Sequence, residues 1–472
     1  MLDELNLFFN PESIAVVGAS ERPMTWGYMT ARNAVESGFK GKIYLVNPRS
    51  RKLFGLEVYP NISSTPSNVD LALITTPLQS VQSVIEECGA AGVKAAVVVT
   101  SGFSEVGADG VKLQSRIGEA ARSNGVRVVG PNCNSLFNAS RNLNITSIPS
   151  RFIKPSPIAF ISQSGYIGQG LTIWGSSRNL HFGKFVSTGN ECDLTCIDFL
   201  EFLGDDDSVE AIMLYVEQLR DGRRFIDVAR SLSGKKPLVV LKGGRTEAGG
   251  RAASSHTAAL SGANSLYRAV FRQSGAIQTY TDREMLVTAT ALIELPRLRG
   301  SSIGIITVGG GYGVMLTDVI SEEGLSVPEP PEGLSRKLRE LLPELRVSVR
   351  NPIDIGATWP LDLKKAYDVA EALMSDRNFD GVVIHDLTDA IHFKQYYGVE
   401  SNLEETKQIG ELSALMRKYG KPLLLTSSID RSESSVMRKL EAMGVRVYSV
   451  REAALMLRNL LRKNFTSSVY EF

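Results

Sequence analysis

The chain has 472 residues, 43% hydrophobic and 22% charged, with 52 basic and 51 acidic side chains giving a net charge of +1. That composition excludes disordered and fibrous classes, and the length calls for about three cores rather than one. A near-neutral balance also excludes a general polyanion binder, so any phosphate chemistry must come from local geometry. The four cysteines, Cys88, Cys133, Cys192 and Cys196, form neither a disulfide framework nor a paired metal knuckle, and no metal site is expected. The N-terminal Met1-Leu2-Asp3-Glu4-Leu5 lacks a basic region followed by an apolar run, so a cytoplasmic protein is expected.

Short Val- and Ile-rich runs alternate with longer amphipathic stretches along the chain, the pattern of parallel strands buried on both faces and joined by helices. The first strands are expected at Ser13–Val17, Lys42–Val46, Leu71–Ile74, Ala95–Val99 and Val126–Val129. A second series opens at Ile158–Ile161 and includes Ala211–Val216 and Leu238–Leu241. A third opens at Ile303–Val308 and includes Val382–His385, Leu423–Thr426 and Val445–Ser449. Each series begins with a strand, a turn of small residues and a helix. The expected fold is therefore α/β: three tandem doubly wound domains, Rossmann-like or flavodoxin-like, with mainly parallel sheets. The Pro- and Ser-bearing stretch Ser147–Pro157 and the interruption Leu295–Ser302 set the expected domains at residues 1–148, 149–295 and 296–472.

A strand-to-helix turn of small residues points backbone N–H groups beyond the strand, where the helix dipole favours an anion. The first turn, Gly18-Ala19-Ser20-Glu21, lacks dinucleotide glycine spacing and reads as a site for another phosphate-bearing ligand. Further loops at strand ends, carrying Asn47 and Arg49, Thr76 and Pro77, Ser101 and Gly102, and Asn132, should converge on the same crevice. The second turn, Gln163-Ser164-Gly165, has Ser162 where a hydrolase nucleophile elbow requires glycine, so a phosphate cradle fits it better. The third, Gly309 to Gly313, has no Lys-Ser/Thr after it and is no P-loop.

Of four histidines, His181, His385 and His392 sit in settings that suit structural roles. His256 differs: it stands alone in the Gly-, Ala- and Ser-rich run from Gly243 to Gly262, which reads as a low-stability loop with little apolar surface to bury.

That run, GGRTEAGGRAASSHTAALSG, resembles the phosphohistidine loop of ADP-forming acetyl-CoA synthetases, members of the succinyl-CoA synthetase superfamily. VVGAS, VNPRS, TSGFSE and GPNCN resemble that family's CoA-binding domain. ISQSG, STGNECD and YVEQLRDGRRF resemble its ligase domain, and TVGGGYGV with NPIDIGA its third domain. Ala258 departs from the glycine expected there. The resemblance implies an α subunit that catalyses acyl-CoA + NDP + phosphate = acid + NTP + CoA through an acyl phosphate and a phosphohistidine at His256. It also implies that the turn Gln163-Ser164-Gly165 holds the transferring oxygens and that Glu217, at a strand end, steadies the imidazole. CoA would lie on the first crevice. An ATP-grasp β subunit would hold the Mg-nucleotide, ADP or ATP, commonly in an α2β2 assembly. A non-catalytic CoA-binding regulatory protein and an acyl-CoA transferase or thioesterase are the competing readings; the intact histidine run argues against the first. The acyl group is not legible.

Overall fold

The computed structural model describes residues 2–257, 264–343, 349–356, 363–389, 397, 403–430 and 432–461. The chain divides into two units at Ala289/Thr290. No described helix is long and apolar enough to cross a membrane.

The first unit carries two sheets. In the first, β1 (Ser13–Val17), β2 (Lys42–Val46), β3 (Lys52–Leu53), β4 (Leu56–Tyr59), β5 (Leu71–Ile74), β6 (Ala95–Val98) and β7 (Arg127–Val129) take the order β3-β4-β2-β1-β5-β6-β7. All pair in parallel except β3 with β4. In the second, β8 (Leu136–Asn138), β9 (Leu143–Asn144), β10 (Ile158–Ser162), β11 (Lys184–Ser187), β12 (Ala211–Val216), β13 (Leu238–Lys242) and β14 (Ile277–Thr279) take the order β14-β13-β12-β10-β11-β8-β9. The hairpin β8–β9, inside the stretch assigned to the first domain, thus joins the second sheet, with β8 antiparallel to β11. The second unit holds β15 (Ile303–Thr307), β16 (Ile353–Asp354), β17 (Gly381–His385), β18 (Leu423–Thr426) and β19 (Val447–Tyr448), all parallel, in the order β16-β15-β17-β18-β19.

In all three sheets the strand that opens the series, β1, β10 or β15, lies where the order reverses. Ligands bind beyond the strand ends at such switch points, so the fold itself puts each small-residue turn at the mouth of a crevice. The central strands are buried along their whole length, as their unbroken apolar runs require.

Strands absent from the sequence reading are short or polar. Lys184 opens β11 as a buried ammonium ion-paired with Asp206 and bonded to Ser208 at 2.6 Å, so its strand shows no apolar start. β8, β9 and β14 have only two or three residues each, too few for a periodic signal.

One core runs through both sheets of the first unit. The N-terminal helix Leu2–Phe9 enters it through Phe8 and Phe9, whose rings meet Phe199 edge-on at 5.8 and 6.1 Å, while Phe9 also stacks on Phe202 at 5.8 Å. Phe199 is fully buried on the helix Cys196–Asp205. Phe199→Ala should therefore cost the first unit about 3–5 kcal/mol, read from urea unfolding of the full chain. A loss below about 1 kcal/mol, the size of a surface substitution, would remove these ring contacts from the list of forces joining the helix to the core.

Candidate functional site

The loops expected to hold a phosphate-bearing ligand do form one rim at the ends of the first sheet. Gly18 has φ +94°, and a side chain there would sit 2.8 Å from the Thr75 hydroxyl, so only glycine lets β1 turn beside β5. The Asn47 amide donates to the Ala19 carbonyl at 2.7 Å and its oxygen accepts from the Arg49 amide at 2.9 Å, which fixes the first turn against the next loop. Ser20 accepts from the Arg22 amide at 3.0 Å. Thr100 donates to the Thr76 carbonyl at 2.6 Å, and the Asn132 amide donates to the Thr100 carbonyl at 3.0 Å. Pro77 precedes the short turn Leu78–Ser80, and Gly102, with φ +105°, lies close to Leu78. Ser101 and Arg49 are exposed on the rim. Asn47 is thus committed to bracing the turn, while the Arg49 guanidinium projects outward.

At the second sheet, β10 ends in the turn Gln163-Ser164 and the helix Gly165–Ser177 begins. Ser164 makes no side-chain cap, so the first-turn amides are left to a ligand or solvent. Gly165 lies so near Asn134 that a Cβ would come within 2.5 Å of it. The Gln163 side chain does something other than face a ligand. Its oxygen accepts from the amides of Glu217 at 2.6 Å and Gln218 at 3.0 Å, and its NH2 donates to the Gln218 carbonyl at 2.8 Å and to Glu191 at 3.1 Å. Gln163 therefore braces the strand ends with its side-chain amide, while its backbone N–H donates to the Tyr215 carbonyl at 3.1 Å.

Glu217 follows the last residue of β12 and is buried. The Tyr215 hydroxyl donates to its carboxylate at 3.0 Å, and burial, then the charge of Glu217, raises the tyrosine pKa. The β12–β13 register pairs Val216 with Lys242, so Glu217 lies beside Gly243, where the histidine run departs. A Cβ on Gly243 would meet the Tyr215 hydroxyl at 2.4 Å and Glu217 Cγ at 3.4 Å.

The run itself differs from the loop expected. Glu247–Thr257 is a helix carrying His256 next to its last residue. Thr246 accepts from the Gly249 amide at 3.0 Å, and Glu247 pairs with Arg251 at 2.7 Å one turn on. Capping and an i,i+4 ion pair offset the poor helix propensity of Gly249 and Gly250. The side chains of residues 254–257 and the whole of 258–263, including Ala258, lie outside the described residues.

Three site residues were missed by sequence reasoning. Glu191, with φ +56°, accepts from Gln163, from the Thr188 hydroxyl at 2.9 Å and from the Cys196 amide at 2.9 Å, and burial raises its pKa despite these bonds. Asn190 beside it contacts the first sheet's loops. Lys242 ends β13 with 1% exposure, donates to the Gly243 carbonyl and lies 4.6 Å from the Tyr267 ring. Burial lowers its pKa, opposed by the charge of Glu217. A lysine closing an apolar strand was the one available signal.

In the second unit His385 does take a structural part: it is fully buried, its Nδ1 lies 2.8 Å from the Thr426 hydroxyl, and Tyr312 packs on it at 4.8 Å. His392 lies outside the described residues. Burial pushes the His385 pKa down to about 4. The adjacent Asp386 is pushed up to about 7, by burial first and then by Asp389.

These observations define an α/β protein with a crevice rimmed by small-residue turns at the ends of each of its first two sheets. Residues 12–139 match the model of a CoA binding domain and residues 155–292 that of the succinyl-CoA ligase like flavodoxin domain. The acetate–CoA ligase (ADP-forming) II subunit alpha of Pyrococcus furiosus is 40% identical over 376 residues, 80% of this chain and 81% of its own. The acetate–CoA ligase (ADP-forming) I of Archaeoglobus fulgidus is 39% identical over 74% of this chain, which spans 50% of that protein. The solved structure of a Candidatus Korarchaeum cryptofilum acetyl-coenzyme A synthetase 1, in complex with phosphate and ADP, is similar with a TM-score of 0.83 at 33% identity, covering 98% of this chain and 96% of that one. The chain belongs to the family of ADP-forming acetate–CoA ligase alpha subunits.

The Asp386 environment yields a pH prediction. A carboxyl whose folded pKa lies above its ordinary value stabilises the fold at low pH and loses that contribution as pH rises through about 7. Asp386→Asn imitates the protonated acid and keeps the acceptor that Ser428 uses at 3.1 and 3.2 Å. The variant's Tm advantage over the parent should grow from pH 5 to pH 8. An advantage that shrinks over that range would overturn the assignment.

Proposed function

We propose that this chain is the CoA-binding, phosphohistidine-forming subunit of an NDP-forming acyl-CoA synthetase, with His256 carrying the phosphoryl group. The observation that carries the reading is that the open helix start at Gly165, buried Glu217 and the root of the His256 helix all meet at the ends of β10, β12 and β13. Family membership supports it. Relatives named for acetate and for 4-hydroxybutyrate fall within the same comparison, so the reading commits to a carboxylic acid and CoA rather than to one acid.

In this reading CoA lies on the first crevice, over Gly18, Ala19, Ser20, Asn47, Arg49, Thr76, Pro77, Ser101, Gly102 and Asn132. A phosphate oxygen attacks the thioester carbonyl and the CoA thiolate leaves, giving an acyl phosphate. With a thiol pKa of about 8.5 the leaving group needs no strong general acid. An imidazole nitrogen of His256 then attacks phosphorus, and the acid leaves as its carboxylate. The open backbone amides of the helix start at Gly165 steady the equatorial oxygens, which suits a reaction that asks chiefly for position and charge stabilisation. The Glu217 carboxylate accepts the other imidazole N–H and balances the charge that develops there. The phosphoryl group finally passes to NDP.

That last step is assigned to a partner: an ATP-grasp β subunit holding the Mg-nucleotide, most simply in an α2β2 assembly. Two facts support a second chain. The Archaeoglobus fulgidus relative is about twice as long as the part matched here, and the Pyrococcus furiosus relatives are named as alpha subunits. No Gly-rich turn of this sequence is followed by Lys-Ser/Thr.

Incubation with acyl-CoA and labelled phosphate should put an acid-labile, base-stable label on the protein. His256→Ala should abolish it while leaving CoA affinity within a few-fold of the parent; a label that persists would sink the assignment. Glu217→Gln should leave the fold intact and slow single-turnover phosphorylation on the order of ten- to a hundred-fold, the rate equivalent of a charge-assisted hydrogen bond worth about 1.5–3 kcal/mol. The purified chain should make no ATP from acyl-CoA, phosphate and ADP until its co-expressed partner is added. ATP synthesis by the chain alone would place a nucleotide site within it.

A further inference from the structure

The turn Gly189-Asn190-Glu191 follows β11 and lies between the two crevices of the first unit. Gly189 and Glu191 both have positive φ, and a Cβ on Gly189 would fall 2.3 Å from the Pro131 carbonyl. From Asn190 the backbone runs beside residues 128–131: the amides of Asn190, Cys192 and Leu194 donate to the carbonyls of Pro131, Gly130 and Val128 at 2.9, 2.9 and 3.1 Å. Arg127 and the Val128 amide, each at 2.9 Å, hold the Asp193 carboxylate. A turn held this way has one available geometry.

Asn190 uses its whole amide across this junction. Its NH2 donates to Glu105 at 2.6 Å and to Gln114 at 3.0 Å, and its oxygen accepts from Asn132 at 3.3 Å. The other Glu105 oxygen accepts from the Gly102 amide at 2.6 Å. Burial alone would raise the Glu105 carboxyl, but the hydrogen bonds it accepts, led by those from Gly102 and Asn190, outweigh it and hold the pKa below its usual value. Two of the loops assigned to CoA therefore end on one side chain. On the other side, the Asn190 carbonyl accepts from Arg220 at 2.6 Å, and the next residue, Glu191, holds Gln163 and through it the amides of Glu217 and Gln218. A pocket lined by Ser104, Asn190, Glu191, Gln163, Glu217 and Arg220 opens at this point.

We propose that Asn190 is a positioning residue that couples occupancy of the CoA loops to the geometry of the phosphoryl-transfer turn. The proposal rests on the function given above. A ligand bound on the Gly102–Glu105 loop fixes the Glu105 carboxylate that Asn190 grips, and the rigid turn passes that constraint to Gln163. A second ligand then finds its site already fixed, which gives positive coupling without a large movement. Linkage makes the effect reciprocal: phosphate tightens CoA by the factor by which CoA tightens phosphate.

The test is the CoA dissociation constant of the full chain, measured by calorimetry with and without saturating inorganic phosphate. Phosphate should tighten CoA about five-fold or more in the parent, the lower end of ordinary coupling. In Asn190→Ala the ratio should fall to near one. Glu105→Gln breaks the same link from the other end, because it keeps an acceptor for Gly102 but turns an NH2 towards that of Asn190. It should lose the coupling too, with the fold verified by circular dichroism. Asn190→Asp, which sets a carboxylate against Glu105, should do no better than alanine. A parental ratio of one, or variants that bind CoA and keep the parental ratio, would overturn the coupling and leave the proposed function standing. Failure of the parent to bind CoA would instead remove the functional reading on which the coupling rests.

Discussion

The geometry of the second crevice depends on one neutral amide. Gln163 follows β10, and its side chain crosses to the residues just past β12 to satisfy two backbone amides and one carbonyl at Glu217 and Gln218. Each such bond adds only about 1 kcal/mol net, but a buried amide left without an acceptor costs about 1–3 kcal/mol. The clamp therefore matters less for what it adds than for what its loss would expose. Only a group with both donor and acceptor can fill the position. A carboxylate would accept from the two amides but repel Glu191, and an aliphatic side chain would leave all of them unmet. Because the same amide is tied to Glu191, the end of β12 and the turn after β11 are set by one residue.

That arrangement explains why this site was only partly legible. The strands were readable because both-face burial writes itself as apolar runs: β1, β2, β5, β12 and β18 have the limits their sequences suggest. The small-residue turns were readable because a strand followed by glycine and serine has few other uses. Gln163 could be placed at the crevice but not oriented. A glutamine facing a phosphate and one facing a neighbouring strand have the same sequence, and only the β10–β12 pairing separates them. Asn190 and Glu191 were quoted as part of a motif without a role, since the partners that tie them to the two crevices, Glu105 and Gln163, lie 85 and 28 residues away along the chain. The β8–β9 hairpin was invisible because strands of two or three residues, one of them rich in asparagine, carry no period.

The two left-handed residues around Asn190 are informative for the same reason. A non-glycine residue at positive φ persists only where its surroundings over-determine it. Glu191 is over-determined by three hydrogen bonds to its carboxylate, and that carboxylate is buried at a cost reflected in its raised pKa. Replacing the group by an apolar side chain would relieve the burial but release Gln163. The first unit therefore retains an unfavourable buried acid at the point where its two crevices meet.

The helix Glu247–Thr257 bears on how a phosphoryl group could leave the crevice. Eleven helical residues span about 16 Å, whereas the same length extended reaches about 36–40 Å. Two glycines each weaken the helix by about 1 kcal/mol relative to alanine, and the exposed Glu247–Arg251 pair returns only about 0.2–0.5 kcal/mol. A poor helix former in this place is otherwise hard to explain, since alanines would make the segment sturdier at no loss of solubility. In the proposed reaction, a segment rooted beside Glu217 that gains about 20 Å of reach when unwound would carry the phosphoryl group from the acyl site to a nucleotide site without moving either domain. The low propensity of Gly249 and Gly250 is then a requirement of the proposed reaction, because a stable helix would keep the phosphoryl group where it was formed.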